Sequence, residues 1–391
     1  MSVDKKVVVT QLRLTHYRVA FFEELRRELG QRGIRMVLLH GQPDPGAIGK
    51  RDEGNVEWAI RVENRYWRIG NKYLAWQPFP SELGDADLIV ITQENRILSN
   101  YLHLLRRYFG GSNVAFWGHG ANLQSHNRDS LLEGFKRWTT NRVAWWFAYT
   151  KMSADLVAAA GFPAERISVL DNSIDTSGLR QQVESVTLDE KLALRRSFGL
   201  GDGPVGIFTG SLYADKRIDF MLTSAELIRK KVPDFHFLIV GEGVEQEKIR
   251  SWCENHPWAH WAGARFGRDK AMCLSVAHVM LNPGAVGLSI LDSFASGVPL
   301  VSTNCQIHGP EIAYLIDGKN GVMAENDVVA YADSVVDLLS DASRLKRLAS
   351  ACVDSAAKYT VENMAAKFAD GVEQALGGLV SKDDVSPAGC E

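Results

Sequence analysis

The chain reads as an α/β protein of two doubly wound, Rossmann-like domains. Its 391 residues are too many for one ordinary core, so two domains are the natural division. Short continuous apolar runs alternate with helical patterns in both halves, as in parallel sheets covered on both faces. Glycines also gather just after the apolar runs: Gly118 and Gly120 in the first half, Gly210, Gly241, Gly243 and Gly287 in the second. Ligands of doubly wound sheets sit beyond the carboxyl ends of the strands. Two such domains in tandem imply a cleft across which they face each other.

In the first half, Val7–Gln11 is a strand, and Phe21, Phe22, Leu25 and Leu29 fall at helical spacing. Strands follow at Arg35–His40, Asp87–Thr92, Asn113–Trp117, Ala148–Thr150 and Ile167–Leu170, with a helix over Leu98–Arg107. The polar stretch Asp175–Gly203 reads as a connection holding one helix, Asp189–Phe198. The second half opens with strand Val205–Thr209, helix Ile218–Lys231, strand His236–Val240 and helix Val244–Glu254. Strands Ala277–Leu281 and Leu300–Ser302 and helices Val328–Leu339 and Ala342–Tyr359 complete it. The expected division is 1–180, a linker 181–203, a second domain 204–380, and a disordered tail 381–391 that carries Asp-Asp, Pro and Gly.

Composition excludes several classes. Net charge is −3, so no global basic field awaits nucleic acid. No apolar run approaches the ~20 residues of a membrane span, and Met1–Lys6 lacks a secretory apolar segment. The five cysteines are scattered without CxxC or zinc spacing, which suits reduced cytosolic thiols.

The richest stretch runs from Leu281 to Pro299. It reads as a strand end, a glycine turn and a short helix closing on Gly297 and Pro299. Gly284 and Gly287 let backbone approach a ligand. The amides of Gly287, Leu288 and Ser289 at the helix start suit phosphate oxygens. Asp292, one turn in, suits a sugar diol. A nucleotide diphosphate uses all three features.

These residues resemble the family 4 retaining glycosyltransferases of the GT-B fold, most clearly over Gly203–Gly321. The family's strand, Gly-Arg-Leu and Lys-Gly stand here as Thr209-Gly210-Ser211-Leu212 and Lys216-Arg217. Its Val-Gly-x-Gly is Val240-Gly241-Glu242-Gly243, and its Glu-Ala-x-Ala-x-Gly-x-Pro is Asp292–Pro299. Gly309-Pro310-Glu311-Ile312 and Asp317–Gly321 follow. The N-terminal half matches loosely, through Tyr17-Arg18-Val19, Trp117-Gly118-His119-Gly120 and Asp171–Asp175. Four departures stand out. Gly284 occupies the first glutamate position, Asp292 replaces the second, Ser211 replaces the arginine, and Leu12–Arg18 replaces a Gly-Gly turn. This is the pattern of a divergent branch.

The resemblance implies transfer of a sugar from a nucleotide-diphosphate sugar to a hydroxyl acceptor, with retention. The product class would be polysaccharide, lipopolysaccharide or glycolipid. It implies catalytic roles for Lys216, Arg217 and His119, and donor contacts from Gly210, Ser211, Gly241, Gly287, Leu288, Ser289, Asp292 and Glu311, with His308 near the donor. His16 and Arg18 would lie on the acceptor side, while Asn172 and Asp175 suit a turn before the linker. No metal or cofactor is required if a cation and a helix start hold the leaving group, and no Asp-x-Asp clasp with supporting context is present. Lys136-Arg137-Trp138, with Arg142, Trp145, Trp146 and Phe147, interleaves cations and aromatics in a way that suits the edge of a bilayer. A buried element with a basic solvent face explains the same pattern. The expectation is a cytoplasmic protein meeting a sugar or lipid-linked acceptor at the inner face of a membrane. A nucleotide-sugar epimerase and a non-catalytic nucleotide-sugar-binding subunit are the alternatives.

Overall fold

A computed structural model describes residues 5–44, 53–70, 72–120 and 139–377. The chain divides into two compact units, one running to Asn172 and taking up the chain again at Val361, the other spanning Ser173–Thr360.

The strands of the first unit are β1 (Lys5–Arg13), β2 (Ile34–Gly41), β3 (Ile60–Val62), β4 (Arg65–Ile69), β5 (Lys72–Trp76), β6 (Leu88–Thr92), β7 (Asn113–Gly118), β8 (Trp145–Ala148) and β9 (Ile167–Val169). Seven of them form one parallel sheet in the order β3-β2-β1-β6-β7-β8-β9, and β4 and β5 pair as a separate antiparallel hairpin. Chain order reverses between β1 and β6, the point where doubly wound sheets open a crevice. Central strands are apolar on both faces because helices cover both: Val7, Val8 and Val9 are all fully buried.

The last helix, Val361–Gly377, belongs to this first unit and not to the second domain expected to run to residue 380. Phe368 stacks on Phe147 with ring centroids 4.1 Å apart and also packs on Phe21 and Trp117. Full burial of that one side chain contributes about 1.5–3 kcal/mol. A Cβ at Gly371 would stand 2.3 Å from Ser168 Oγ, so only glycine lets the helix lie this close to β9.

The strands of the second unit are β10 (Val205–Thr209), β11 (His236–Val240), β12 (Ala259–Gly263), β13 (Val279–Leu281), β14 (Leu300–Thr303) and β15 (Gly321–Ala324). They form a second parallel sheet, β12-β11-β10-β13-β14-β15, whose order reverses between β10 and β13. The stretch 181–203, expected as a linker, is an integral part of this unit. Thr187 and Glu190 form a capping box for the Leu188–Ser197 helix. Arg268 clamps both Glu190 oxygens at 2.7 and 2.9 Å and fastens the helix to its neighbour. The boundary falls at Asn172–Ser173, earlier than residue 180. Ser173 Oγ and Thr176 Oγ1 each donate to the Tyr359 carbonyl at 2.8 Å, which fixes the start of the unit to its end.

Trp145, Trp146 and Phe147 are buried core residues of β8 and are not available to a bilayer. Trp145 Nε1 donates to Ser168 Oγ at 2.9 Å and Trp146 Nε1 to the Thr140 carbonyl at 3.1 Å. Lys136, Arg137, Trp138 and the tail 381–391 lie outside the described residues.

Candidate functional site

In the second unit the informative loops follow β10 and β13, the two strands that flank the reversal of order. After β10 the chain turns at Gly210, whose φ of +147° is open to glycine alone. The loop packs backbone to backbone against the turn after β11. A Cβ on Gly241 would stand 1.8 Å from the Gly210 carbonyl oxygen, and one on Gly243 would stand 2.2 Å from that of Leu212. Leu212 N–H donates to the Glu242 carbonyl at 2.9 Å. Gly241 is thus buried scaffolding for Gly210, while Ser211 is exposed.

Lys216 ends the single 3-10 turn Ala214–Lys216 and is 6% exposed. Its Nζ donates to the Ala285 carbonyl, so it points at the loop after β13. Burial lowers its pKa to about 8, with nearby Asp215 acting weakly in the opposite direction. No carboxylate among the described residues pairs with it. Arg217, in the left-handed conformation at φ +55°, turns a different way. Its Nη1 donates to Asn326 Oδ1 at 2.6 Å and to the Pro283 carbonyl and Thr303 Oγ1 at 3.2 Å, and its guanidinium lies 4.1 Å from the Phe220 ring. Arg217 is therefore a tie between loops.

Gly284, the position of the missing glutamate, has no room for any side chain. Its Cβ would meet the Asp215 carbonyl oxygen and the Lys216 carbonyl carbon at 2.4 Å each. Ala285 N–H donates to that Asp215 oxygen at 2.8 Å. The two loops are thus joined directly through their backbones, which brings Lys216 to Ala285.

Beyond this joint the chain becomes partly exposed at Gly287, Leu288 and Ser289, ahead of the helix Ser289–Ser296. The amides of these three residues have no acceptor among the described residues. Val286 N–H, by contrast, donates to His308 Nδ1 at 3.2 Å. The other ring nitrogen of His308 lies 2.7 Å from the Thr303 carbonyl, which holds the ring between the two loops. Glu311 is 4% exposed, and its Oε2 lies 4.0 Å from a Cβ built on Gly287. His308 also stands 3.4 Å from Cys305 Sγ. Burial alone would raise that thiol, but hydrogen bonds with His308 and Thr303 outweigh it and bring it to about 7.

Asp292 is buried, and both its oxygens have partners. Lys270 Nζ donates to Oδ1 at 2.8 Å and Thr209 Oγ1 to Oδ2 at 3.5 Å. Lys270 has no motif signature, because it reads as one more cation on the surface helix Gly267–Ser275.

The first-unit residues gather at the carboxyl ends of β1, β7 and β8. His119 is exposed in the Gly118–Gly120 turn, its ring 4.4 Å from Tyr149. Gly120 seats that turn on the Lys151–Ala159 helix, where a Cβ would meet the Ser153 carbonyl at 2.8 Å. His16 is exposed at the start of its own turn, and Arg18 is buried below it. Asn172 receives a 2.7 Å bond from Arg18, and Asp175 caps the Thr176–Glu184 helix through Gly178 N–H at 2.7 Å.

Residues 203–341 match the family model described as Glycosyl transferases group 1. A GDP-mannose-dependent alpha-(1-6)-phosphatidylinositol monomannoside mannosyltransferase of Mycolicibacterium smegmatis is 27% identical over 48% of this chain and 50% of its own. The chain thus spans about half the length of that relative. An alpha-D-kanosaminyltransferase of Streptomyces kanamyceticus is 22% identical over 81% of both chains. In structure, Anabaena HepE in complex with UDP superposes with a TM-score of 0.69 at 13% identity, over 95% of this chain and all of that one. Sucrose-phosphate synthase of Thermosynechococcus elongatus gives 0.69 at 13% identity, over 96% of this chain and all of that one. The fold is GT-B. Over residues 203–341 the chain resembles the family described as Glycosyl transferases group 1.

Proposed function

We propose that the protein transfers a sugar from a nucleoside-diphosphate sugar to a hydroxyl acceptor, with retention at the anomeric carbon. The observation that carries this is the joint between Lys216 and the Ala285–Ser289 turn: a buried cation directed at one end of a run whose last three amides, Gly287 to Ser289, have no acceptor among the described residues. Lys216 and the helix start would hold the departing diphosphate, whose negative charge grows as the bond from sugar to phosphate breaks. Asp292 would accept from the ribose diol, using lone pairs left over by Lys270 and Thr209. In the second unit Glu311 would contact the donor; in the first, His119 is proposed as a catalytic residue. Gly210 and Ser211 would line the nucleotide, with Gly241 seated behind Gly210, and His16 would lie on the acceptor side.

Several measurements separate this from the alternatives. Thermal shifts against UDP, GDP, ADP and dTDP identify the base, because a ligand of the folded state raises stability by mass action. Nucleotide released only when acceptor is present marks a transferase; release without acceptor marks an epimerase. Tight binding with no turnover over a broad acceptor panel marks a binding subunit. With a lysine and a helix start as the electrophilic element, turnover is expected to survive EDTA, and its loss would assign a metal instead.

A lipid-linked acceptor would bring the protein to a membrane surface. Leu105, Tyr108 and Phe109 are 54%, 74% and 76% exposed beside exposed Arg106, an apolar and basic edge suited to anionic lipid. Cosedimentation with anionic vesicles, lost when all three become serine, tests that contact. No helix of the described residues is long and apolar enough to cross a membrane.

A further inference from the structure

We infer that Arg18 is the centre of an anion subsite in the first unit, and that the acceptor carries a phosphate or carboxylate that seats there. This rests on the transferase reading and narrows it to a class of acceptor.

Arg18 begins the Val19–Gln31 helix, in the loop that follows β1 at the reversal of strand order. It is 6% exposed. Its Nη2 donates to Asn172 Oδ1 at 2.7 Å, and its Nη1 lies 3.8 Å from Met364 Sδ, a weak acceptor. Four rings surround the guanidinium carbon: Trp117 at 5.2 Å, Tyr17 at 5.5 Å, Tyr149 at 5.7 Å and Phe21 at 6.0 Å. No carboxylate among the described residues lies within ion-pair distance. A guanidinium stays charged at any working pH, and buried arginines are ordinarily paired. Ring faces offset part of the lost hydration. They leave most of its five N–H donors without an oxygen among the described residues.

A second observation is independent of the first. Trp117 Nε1 is a buried donor with no acceptor among the described residues, and its ring is the nearest of the four. Native proteins rarely leave such a group unpaired, and one that stays so marks a place for a ligand, ion or water. Here two donor groups outnumber their acceptors in one place, and one of them is a cation. A group rich in acceptor oxygens and negatively charged fits both. A neutral sugar fits less well, since its hydroxyls bring donors and no charge. The backbone fixes the geometry: Trp117 lies near the end of β7 and Tyr149 and Asn172 follow the adjacent β8 and β9, with Tyr149 N–H on the Gly118 carbonyl at 3.2 Å and Asn172 N–H on that of Tyr149 at 2.7 Å.

The test uses the full chain saturated with a nucleoside diphosphate, so that the phosphate site of the second unit is filled. Inorganic phosphate, glucose 6-phosphate, glucuronate and glucose are then titrated by calorimetry. Binding of at least one anionic probe and none of glucose is expected, and the stronger of glucose 6-phosphate and glucuronate distinguishes phosphate from carboxylate. Arg18→Gln should weaken that binding by about tenfold or more, Arg18→Lys by less, and Trp117→Phe by roughly threefold. If Arg18→Gln shows no cooperative melting, Trp117→Phe carries the test, because it removes the N–H and keeps an aromatic ring. Equal binding of glucose and the anions, or anion binding unchanged in the substituted proteins, overturns the subsite. Anion binding without any nucleotide binding overturns the donor proposal and leaves the subsite standing.

Discussion

Lys216 is where a single side chain matters most. Its pKa of about 8 lies below the ordinary lysine value of 10.5 because burial penalises the charged form. The unfolded chain therefore holds the proton more tightly than the folded one between these values. This residue's contribution to stability rises as pH climbs from about 8 to 10.5. Binding runs the other way, since a diphosphate needs the charged form. Nucleoside-diphosphate affinity should be flat from pH 7 to 8 and then fall by up to about tenfold per unit. Calorimetry across pH 7–9.5 checks it, and a flat profile would show that Lys216 does not meet the phosphates. Lys216→Ala should lower turnover by about 10²-fold or more, measured as nucleotide release with acceptor present. Asp292→Asn should weaken nucleotide binding by roughly tenfold while the melting transition stays cooperative. The order of the motif was enough to place Lys216 in the loop after β10 and Asp292 in the helix after β13, because strand, loop and helix punctuate the sequence in a readable way. Lys270 was not legible, since a lysine that reaches a buried carboxylate looks in sequence like any solvated lysine. Arg217 shows the converse: its position beside Lys216 suggested a phosphate contact, and only its left-handed backbone turns it toward Asn326.

At the scale of elements, the junction of the two loops sets where Lys216 points. Gly284 lies against the backbone of Asp215 and Lys216, so restoring the family's glutamate there would push Lys216 away from Ala285. Gly284→Glu should cost about 3 kcal/mol or more, seen as a fall of roughly 10 °C in the melting midpoint, and should abolish turnover. A stable and active variant would show that the loops part easily. The strands were legible because buried parallel strands are nearly continuous apolar runs, such as Ile207-Phe208 and Leu238-Ile239. Short edge elements were not. The sequence of β12, Ala259-His260-Trp261-Ala262-Gly263, carries neither a clear alternation nor a clear apolar run, and only its pairing with β11 makes it a strand.

For the whole molecule, the division into units was half legible. Alternating strands and helices revealed two sheets. Nothing local in Val361–Gly377 says which sheet its apolar stripe covers, because Met364, Phe368 and Val372 would suit either core. Tertiary packing decides it, and the stripe joins Phe21, Trp117 and Phe147. A chain stopped at Thr360 should therefore leave Ser173–Thr360 folded and the first unit open. The expected signs are loss of protection from proteolysis in residues 5–172 and retained nucleotide binding. During synthesis the same arrangement separates beginning from completion. Residues 5–172 leave the ribosome well before the Val361–Gly377 helix that completes their core, and that core stays exposed while the intervening unit is made and folds. Such a protein should depend on chaperones during translation, and C-terminal fusions that delay release should lower its soluble yield.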